Sequence, residues 1–281
     1  MKKVLITGAN SYIGTSFEKY ICERFADDYV VDTMDMLENG WRERSFVGYD
    51  VVFHVAGIAH MKETKENAKL YYEVNRDLSV EVARAAKADG VKQFVFLSTM
   101  SVYGQTTGVI TKQTLPAPNT HYGRSKAQAE ESILELADEQ YAVAVVRPPM
   151  VYGNGCKGNF QSVLKLAERF PVFPRIRNQR SMIYIDNLCA FVKLCMDRNL
   201  TGVYLPQNEQ YVRTDRLAAL IAEAKGKKLL LSYICGVAVW LLRPFIGMLQ
   251  KAFGTLVYKD TEEFNFEYCV VNFESSVKQS V

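Results

Sequence analysis

The chain has 281 residues, of which 48% are hydrophobic and 23% are charged. This composition is ordinary for a globular protein with one large domain, or a main domain and a smaller companion. A formal net charge of +3 is too small to indicate a nucleic-acid partner. Three histidines, and six cysteines without a C-x-x-C pattern, argue against a metal site or a disulfide framework. We therefore expect a cytoplasmic protein with reduced thiols and no metal.

Two apolar segments bear on membrane contact. The N-terminal KKVLITG predicts a strand, because its apolar run is too short for a cleavable signal. Residues 229–242 form a longer apolar run, yet a spanning helix needs roughly 20 residues. A buried or lid helix is the favoured interpretation. Shallow contact with a membrane surface, or docking to a membrane-bound glycosyltransferase, is the alternative.

The first half of the chain alternates apolar strand-like runs with helical stretches, which is typical of a parallel sheet covered by helices. The predicted strands are residues 4–8, 29–35, 49–57, 92–99 and 142–149. The predicted helices are 13–25, a long one over 70–90 closed by Gly90, and one that carries Tyr122.

After Pro149 the pattern becomes irregular. Helices are predicted over 160–170, 186–197 and 214–226, the last with Thr214 as its N-cap and Gly226 at its end, and a strand over 202–206. We predict an α/β fold, namely a Rossmann-type doubly wound parallel sheet with a small discontinuous C-terminal substrate-binding cap. The predicted sheet domain comprises 1–152 and 180–205, and the cap comprises 153–179 and 206–281.

A glycine turn, TGANSYIG, links the first strand to the first helix. A dinucleotide pyrophosphate binds at this position in such sheets, on the N-terminus of the helix. Gly8 would permit the tight turn, and Gly14 would let the helix pack closely on the strand. An ordinary strand-to-helix turn is the alternative interpretation.

A carboxylate at the end of the second strand would accept hydrogen bonds from the adenosine ribose. Asp32 and Asp35 are the candidates, and Asp35 is preferred because it lies closer to the end of the strand. A carboxylate there would repel a ribose 2′-phosphate, which favours NAD, with NADP as the alternative.

The segment HYGRSK places Tyr122 and Lys126 four residues apart, on one face of a helix. An ammonium near a phenol lowers the pKa of the phenol, which makes Tyr122 a candidate general acid and base. Alone, the pair is also common on solvated helix faces.

Together these segments resemble the extended short-chain dehydrogenase/reductase family, in its nucleotide-sugar epimerase, dehydratase and reductase branch. Its T-G-x-x-G-x-x-G motif matches 7–14, with Ser11 in place of the middle glycine, and its Y-x-x-x-K motif matches Tyr122 and Lys126. Four further segments of the family have counterparts in this chain, namely HVAG, VNRDLSV, LSTMSVYG and VVRPPMVYG. The resemblance implies cofactor contacts from Gly8, Ser11, Tyr12, Ile13, Gly14, Asp35, Ala56, Gly57, Asn75, Tyr122, Lys126 and Pro148.

The resemblance also implies catalytic roles and a homodimer. Tyr122 would exchange a proton with a sugar hydroxyl or ketone, while hydride moves to or from the nicotinamide. Lys126 would hold the ribose hydroxyls and lower the pKa of the tyrosine. Thr99 would orient the same sugar oxygen, and thereby also contact the substrate.

The substrate half carries Asn159 and Arg180 where the family contacts the diphosphate of a nucleotide sugar. Arginine suits a diphosphate because its fork can bond two oxygens. Met100 and Ser101 stand where 4,6-dehydratases carry an Asp-Glu pair, which makes dehydration unexpected. Met150 replaces a substrate-binding asparagine of galactose epimerases, so an ordinary UDP-galactose site does not follow.

The connection between the second and third predicted strands is short for this family. It leaves little room for another strand and helix, so WRERSF must form the wall beside the adenine. The leading functional hypothesis is a C4 epimerase or 4-keto-sugar reductase acting on a nucleotide sugar in polysaccharide synthesis. A non-catalytic dinucleotide-binding regulator, acting as a redox sensor of the same fold, is the alternative.

Overall fold

Strands alternate with helices through most of the chain, in a computed structural model that describes residues 1–38, 40–59, 61, 63–260 and 263–281. The strands are β1 (Lys2–Thr7), β2 (Tyr29–Met34), β3 (Val51–His54), β4 (Gln93–Leu97), β5 (Gly108–Ile110), β6 (Ala142–Val146), β7 (Met150–Tyr152), β8 (Val172–Pro174), β9 (Met182–Tyr184), β10 (Gly202–Tyr204), β11 (Leu230–Ser232) and β12 (Leu256–Tyr258). The α-helices are α1 (Tyr12–Arg24), α2 (Ala68–Tyr72), α3 (Leu78–Ala88), α4 (His121–Leu134), α5 (Asn159–Arg169), α6 (Ile185–Asp197), α7 (Thr214–Ala224), α8 (Tyr233–Leu242), α9 (Gly247–Phe253) and α10 (Phe273–Gln279).

The main sheet has the strand order β2-β1-β3-β4-β6-β10, and all neighbouring strands run parallel. Every residue of β3, β4 and β6 is buried, as expected for central strands covered on both faces. The predicted Rossmann-type parallel sheet is confirmed. The order also puts the carboxyl ends of β1 and β3 side by side, where such sheets bind their ligands.

The chain divides into two compact units. The first consists of Met1–Gly104, Pro116–Pro148 and Cys189–Pro206, and the second of Gln105–Leu115, Pro149–Leu188 and Gln207–Val281. Residues 105–115, 149–152 and 180–188 thus belong to the second unit, whereas the predicted boundaries put them with the sheet.

The connection between β2 and β3 packs into the core of the first unit. Between β2 and β3 the described residues form a 3-10 turn, Trp41–Glu43, which agrees with the short connection expected from the sequence. Trp41 and Phe46 are buried in one hydrophobic cluster with Met34 and Met36. WRERSF therefore supplies apolar side chains to the core of the first unit, where a further strand and helix would otherwise contribute them.

Short parallel strand pairs and aromatic contacts build the second unit. The pairs are β5 with β12, β7 with β9, and β8 with β11. The ring of Tyr152 stacks on Phe160 with centroids 5.4 Å apart. Its buried hydroxyl bonds to Ser276 Oγ at 2.5 Å and accepts from Asn208 Nδ2 at 2.9 Å. This hydroxyl is therefore satisfied inside an apolar core.

Two sequence predictions in the second unit need correction. Thr214 is the first helical residue of α7, and Arg213 is the N-cap. The Thr214 hydroxyl donates to the Ala252 carbonyl at 3.0 Å instead of capping its own helix. Of the buried or lid helix predicted over 229–242, the buried alternative is wrong, because in α8 only Gly236 is buried, and the lid alternative stays a prediction. Among the helices of the described residues, none has the length and apolar content needed to cross a membrane.

His54 is a fully buried histidine at the end of β3. Its Nδ1 lies 2.7 Å from Thr7 Oγ1, and its Nε2 lies 2.9 Å from Ser79 Oγ, so both ring nitrogens are hydrogen-bonded to neutral groups. Burial lowers the pKa of His54 to about 3, and the charge of Lys126 acts in the same direction. The folded protein therefore keeps this ring neutral.

We predict that His54 makes the protein sensitive to acid. The unfolded chain takes up the proton below about pH 6.5, whereas the folded chain does so only near pH 3. The stability that neutral, buried His54 contributes is thus fully present above pH 6.5 and is lost as the pH falls below that value. Between pH 7 and pH 5 the free energy of unfolding should fall by about 2 kcal/mol from this group. Urea unfolding of the wild type and of His54→Gln at pH 7 and pH 5 measures this change in the free energy of unfolding.

His121→Gln is the matched control and should retain the wild-type loss. An equal loss in His54→Gln would show that other groups cause the acid sensitivity.

Candidate active site

The glycine turn after β1 lies against the end of β3. Gly8 has a φ of +111°, and a Cβ there would lie 2.7 Å from the Ala56 nitrogen. Only glycine satisfies both the left-handed backbone and this close approach. The amides of Gly8 and Ala9 both donate to the Met34 carbonyl, at 2.9 and 3.1 Å. The turn is therefore fixed to the ends of β2 and β3 through the backbone.

The first turn of α1 is capped by Ser11. Its Oγ accepts from the Gly14 amide at 3.1 Å, and a Cβ at Gly14 would lie 2.6 Å from that oxygen. The serine that replaces a family glycine thus binds its own helix, which Gly14 makes possible. Tyr12 and Ile13 are half-buried in the same turn. The positive end of the helix dipole lies here, where a phosphate would be stabilised.

The two candidate carboxylates near the ribose position differ in their placement. Asp35 directly follows β2, and its Oδ1 accepts from the Leu37 amide at 2.9 Å. Asp32 lies inside β2, opposite Leu5, and accepts from the Tyr49 hydroxyl at 2.9 Å. Asp35 therefore lies at the carboxyl end of the strand, and Asp32 is already bound to Tyr49.

Asn75 connects the loop after β3 to the helix of Tyr122. It lies in a π-type turn, Glu73–Asp77, between α2 and α3, a distortion that is frequent at functional sites. Its Oδ1 accepts from the Ile58 amide at 2.8 Å, and its Nδ2 donates to the Ile58 carbonyl at 3.1 Å and to Ser125 Oγ at 3.3 Å. Asn75 is fully buried, so these bonds fix the backbone beside Ala56 and Gly57.

Tyr122 and Thr99 are brought together as the sequence predicts. Thr99 lies two residues after β4 and close enough to the phenol of Tyr122 to affect its pKa. Burial raises the pKa of Tyr122, the Thr99 side chain lowers it in part, and Tyr71 raises it. The pKa of Tyr122 is therefore raised, not lowered as the sequence predicts, since burial removes the water that would solvate a phenolate.

Lys126 is a buried cation beside Gly57. Its Nζ donates to the Leu97 carbonyl at 2.9 Å and lies 4.5 Å from the ring centroid of Phe96. A Cβ at Gly57 would lie 3.4 Å from Nζ and 2.8 Å from Asn75 Oδ1. Burial lowers the pKa of Lys126 to about 8, while the charge of Glu130 acts in the opposite direction. The amine is therefore mostly protonated at neutral pH.

A buried ion pair that the sequence reading missed fixes the surroundings of these groups. Arg147 follows β6, and its Nη2 donates to Glu130 on α4 at 2.6 Å. Its Nη1 donates to the Tyr103 hydroxyl at 2.8 Å, in the turn that follows Thr99. These bonds join α4 to the ends of β4 and β6. The two partners are 17 residues apart, so no local pattern in the sequence indicated the pair.

Glu63 is a second group that the sequence reading missed. Its two carboxylate oxygens accept from the amides of His121 and Tyr122, at 3.0 and 2.9 Å. The ring of Tyr71 meets the ring of Tyr122 edge-on, with centroids 6.4 Å apart. A negative charge at the N-terminus of α4 stabilises the helix and fixes its first residues. Glu63 is therefore a positioning residue for Tyr122.

The other predicted residues of the first unit lie at strand ends. Pro148 is buried two residues after β6, and its carbonyl accepts from the Met100 amide at 2.9 Å. Met100 and Ser101 lie in the 3-10 turn Met100–Tyr103, and neither side chain carries a proton for water loss at neutral pH. The described residues contain no group of three or more His, Cys, Asp or Glu side chains that could hold a metal.

The second unit carries the predicted diphosphate ligands. Asn159 is exposed and begins α5. Arg180 is half-buried, and its Nη1 donates to the Gly254 carbonyl at 3.1 Å. Burial lowers the pKa of its guanidinium, and in the described part of the chain no carboxylate forms an ion pair with it. A half-buried cation without a counter-charge is a candidate anion ligand.

Comparison with known proteins adds to this geometry. A model of the NAD dependent epimerase/dehydratase family matches residues 4–212. The UDP-glucose 4-epimerase of Vibrio cholerae is 30% identical over 278 aligned residues, covering 89% of this chain and 83% of that protein. The N-acetyl-alpha-D-glucosaminyl-diphospho-ditrans,octacis-undecaprenol 4-epimerase of Escherichia coli O157:H7 is 25% identical over 248 residues, covering 80% of this chain and 73% of that protein.

Among solved structures, the UDP-glucuronic acid 4-epimerase from Bacillus cereus in complex with NAD matches with a TM-score of 0.76. The match covers 99% of this chain and 97% of that chain at 17% identity, and it bears on the fold alone.

We predict that Glu63→Gln lowers the free energy of unfolding by about 1 kcal/mol, because it removes one acceptor and the charge at the N-terminus of α4. Urea unfolding at neutral pH measures the change. Glu131→Gln, an exposed substitution on the same helix, is the control and should change stability by less than about 0.5 kcal/mol. Equal stabilities of the two variants would remove Glu63 from its positioning role.

Proposed function

Because the chain belongs to the NAD dependent epimerase/dehydratase family, we propose that it transfers hydride at C4 of a sugar carried on a diphosphate, with NAD as its cofactor. The groups assembled at the ends of β4 and α4 carry this proposal, since Tyr122 lies beside Thr99 and shares a helix face with Lys126. A regulator without catalysis would not require this set.

The residues around the glycine turn fit a dinucleotide. Gly8 leaves no room for a side chain between the turn and the end of β3, and α1 directs its N-terminus to the same region. Asp35 at the carboxyl end of β2 would bind the adenosine ribose hydroxyls. Its negative charge favours NAD, since a 2′-phosphate would be repelled. NADP is the alternative that direct analysis of the bound nucleotide would reveal.

NAD, when bound, would supply the chemistry of accepting a hydride from the sugar carbon and returning it. The chain itself moves the proton. Tyr122 takes a proton from the C4 hydroxyl during oxidation and donates it to the ketone oxygen during reduction. Thr99, beside Tyr122, orients the same oxygen. Lys126, buried and largely protonated at neutral pH, would hold the ribose hydroxyls.

The raised pKa of Tyr122 sets the resting state of this cycle. Burial keeps the phenol protonated in the protein alone, which is the form that gives a proton to a ketone. A positive charge brought next to the phenol would be needed before it could act as a base near neutral pH. The proposed mechanism thus couples the basicity of Tyr122 to occupancy of the cofactor site.

Reaction at C4 is supported by relatives that are named as 4-epimerases, one of UDP-glucose and one of a sugar on undecaprenyl diphosphate. The diphosphate is common to both, which fits the half-buried guanidinium of Arg180. A 4-keto-sugar reductase would use the same Thr99, Tyr122 and Lys126. We place the epimerase first and assign the product to polysaccharide synthesis.

The proposal is tested by purifying the protein without added cofactor, identifying released nucleotide by mass, and following conversion of UDP-glucose to its C4 epimer by NMR. Tyr122→Phe should lower turnover by at least about 100-fold with NAD retention unchanged, because it removes the proton carrier alone. Tyr72→Phe, on the neighbouring helix α2, is the control and should remain active.

Loss of bound NAD in Tyr122→Phe would show that the tyrosine is structural. A nucleotide-free protein that consumes 4-keto sugar nucleotides with added NADH would replace the epimerase with the reductase.

We predict that Arg180→Gln raises the KM for the diphosphate-linked sugar by about 10- to 100-fold, since a charge-assisted hydrogen bond is worth about 1.5–3 kcal/mol. Cofactor binding should be unchanged. Arg216→Gln, an exposed arginine of α7, is the control. Titration of UDP-glucose in the activity assay gives the KM, and an unchanged value would remove Arg180 from the substrate site.

A further inference from the structure

The helix α8 exposes an apolar face that the proposed reaction does not use. We call this the α8 face, and its members are Tyr233, Ile234, Val237, Trp240 and Leu241. Ile234 is 84% exposed, and Phe245, just beyond the helix, is 86% exposed. Large apolar residues that are exposed next to one another on a protein surface mark an interaction site.

The α8 face is exposed because the opposite side of the helix is anchored. Gly236 is the buried residue of α8, and a Cβ at this position would lie 2.2 Å from the Arg175 carbonyl. The helix therefore packs on the chain at backbone distance through its glycine. Ile234 and Leu241 lie on the other side of the helix from Gly236, whereas Tyr233 and Trp240 are three and four residues from Gly236 and flank this contact. All four side chains remain exposed to solvent.

Arginines lie beside the α8 face, in a sequence segment rich in cations. Between residues 224 and 259 the sequence has no Asp or Glu, and its cations are Lys225, Lys227, Lys228, Arg243, Lys251 and Lys259. Arg175, Arg177 and Arg243 line a cleft of about 430 Å³ together with Val237 and Trp240. The guanidinium of Arg175 lies 4.4 Å from the ring centroid of Tyr233. Exposed apolar side chains thus lie beside three arginines, and Asp215, which accepts from the Ile176 amide, is already paired with Arg213.

We propose that the α8 face docks on the surface of a bilayer containing anionic lipids. Ten residues are too few to span the hydrocarbon, so α8 would lie in the plane of the interface. Ile234, Val237 and Leu241 would enter the acyl boundary. Tyr233 and Trp240 are residue types that favour the headgroup level. The arginines would bind lipid phosphates, each worth about 1 kcal/mol near an anionic surface.

Charge separates this occupant from a second copy of the chain. In a symmetric dimer built on the α8 face, the same patch would meet itself. Arg175, Arg177 and Arg243 of both copies would then be brought together without carboxylates from the segment to pair with them. An anionic lipid surface offers both the apolar layer and the compensating phosphates. Docking is measured as binding, so it stands or fails independently of the proposed reaction.

Flotation of the full-length protein with phosphatidylcholine vesicles, with and without phosphatidylglycerol, tests the proposal. The protein should float with the anionic vesicles at low salt and dissociate as salt is raised. The double variant Ile234→Ser with Trp240→Ser should weaken binding at least about 10-fold, because two apolar side chains leave the interface. Leu37→Ser, a 90% exposed leucine of the first unit, is the matched control and should bind like wild type.

Tryptophan fluorescence gives a second readout, since the chain has two tryptophans and Trp41 is buried. Anionic vesicles should shift the wild-type emission to the blue and leave Trp240→Phe unchanged. Unfolding midpoints show that each variant is folded. Equal binding of the double variant and wild type, or equal binding to vesicles without anionic lipid, would overturn the proposal. Two further results would overturn it. One is a dimer that forms without vesicles and is lost in the double variant. The other is binding to an acidic protein without binding to vesicles.

Discussion

The close approach of the backbone at the carboxyl ends of β1 and β3 is the constraint on which the first unit depends. Gly8 has no Cβ because the Ala56 nitrogen occupies that space, at 2.7 Å from where the atom would lie. Gly57, just after β3, also has no room for a Cβ, because the side-chain atoms Asn75 Oδ1 and Lys126 Nζ lie close to it. Backbone segments can meet at these distances only where glycine removes the side chain. The space at the sheet edge follows from this packing.

Buried polar groups then fix what surrounds that space. Asn75 joins the β3 loop to α4, and the pair of Glu130 and Arg147 joins α4 to the strand ends. Such groups are costly to bury unless every partner is present, so they specify one arrangement. Tyr122 and Lys126 are held in this arrangement with little water, and burial displaces both pKa values toward the neutral forms. The same desolvation would strengthen the effect of any charge introduced beside them.

Much of the fold followed from local patterns. The strands of the sheet, α1 and the long helix ending near Gly90 are where the sequence predicts them, and the resemblance to the extended short-chain dehydrogenase/reductase family is confirmed. The Y-x-x-x-K spacing correctly placed Tyr122 and Lys126 on one helix. The direction of the Tyr122 pKa shift was wrong, because a spacing shows which charges are near and not how much water is excluded. Thr214 is not the N-cap of α7, because its hydroxyl is hydrogen-bonded to Asn178 and to the Ala252 carbonyl.

Local patterns were enough to predict the order of strands and helices, the glycine turn and the candidate catalytic residues. These depend on residues a few positions apart, whose spacing is set by the geometry of helices and strands. Three features come from the folded chain alone: Glu63 accepts from the first amides of the Tyr122 helix, Arg180 has no acidic partner among the described residues, and α8 is exposed. Each of these depends on groups distant in sequence, or on the water removed when the chain packs, and neither is written in local spacing.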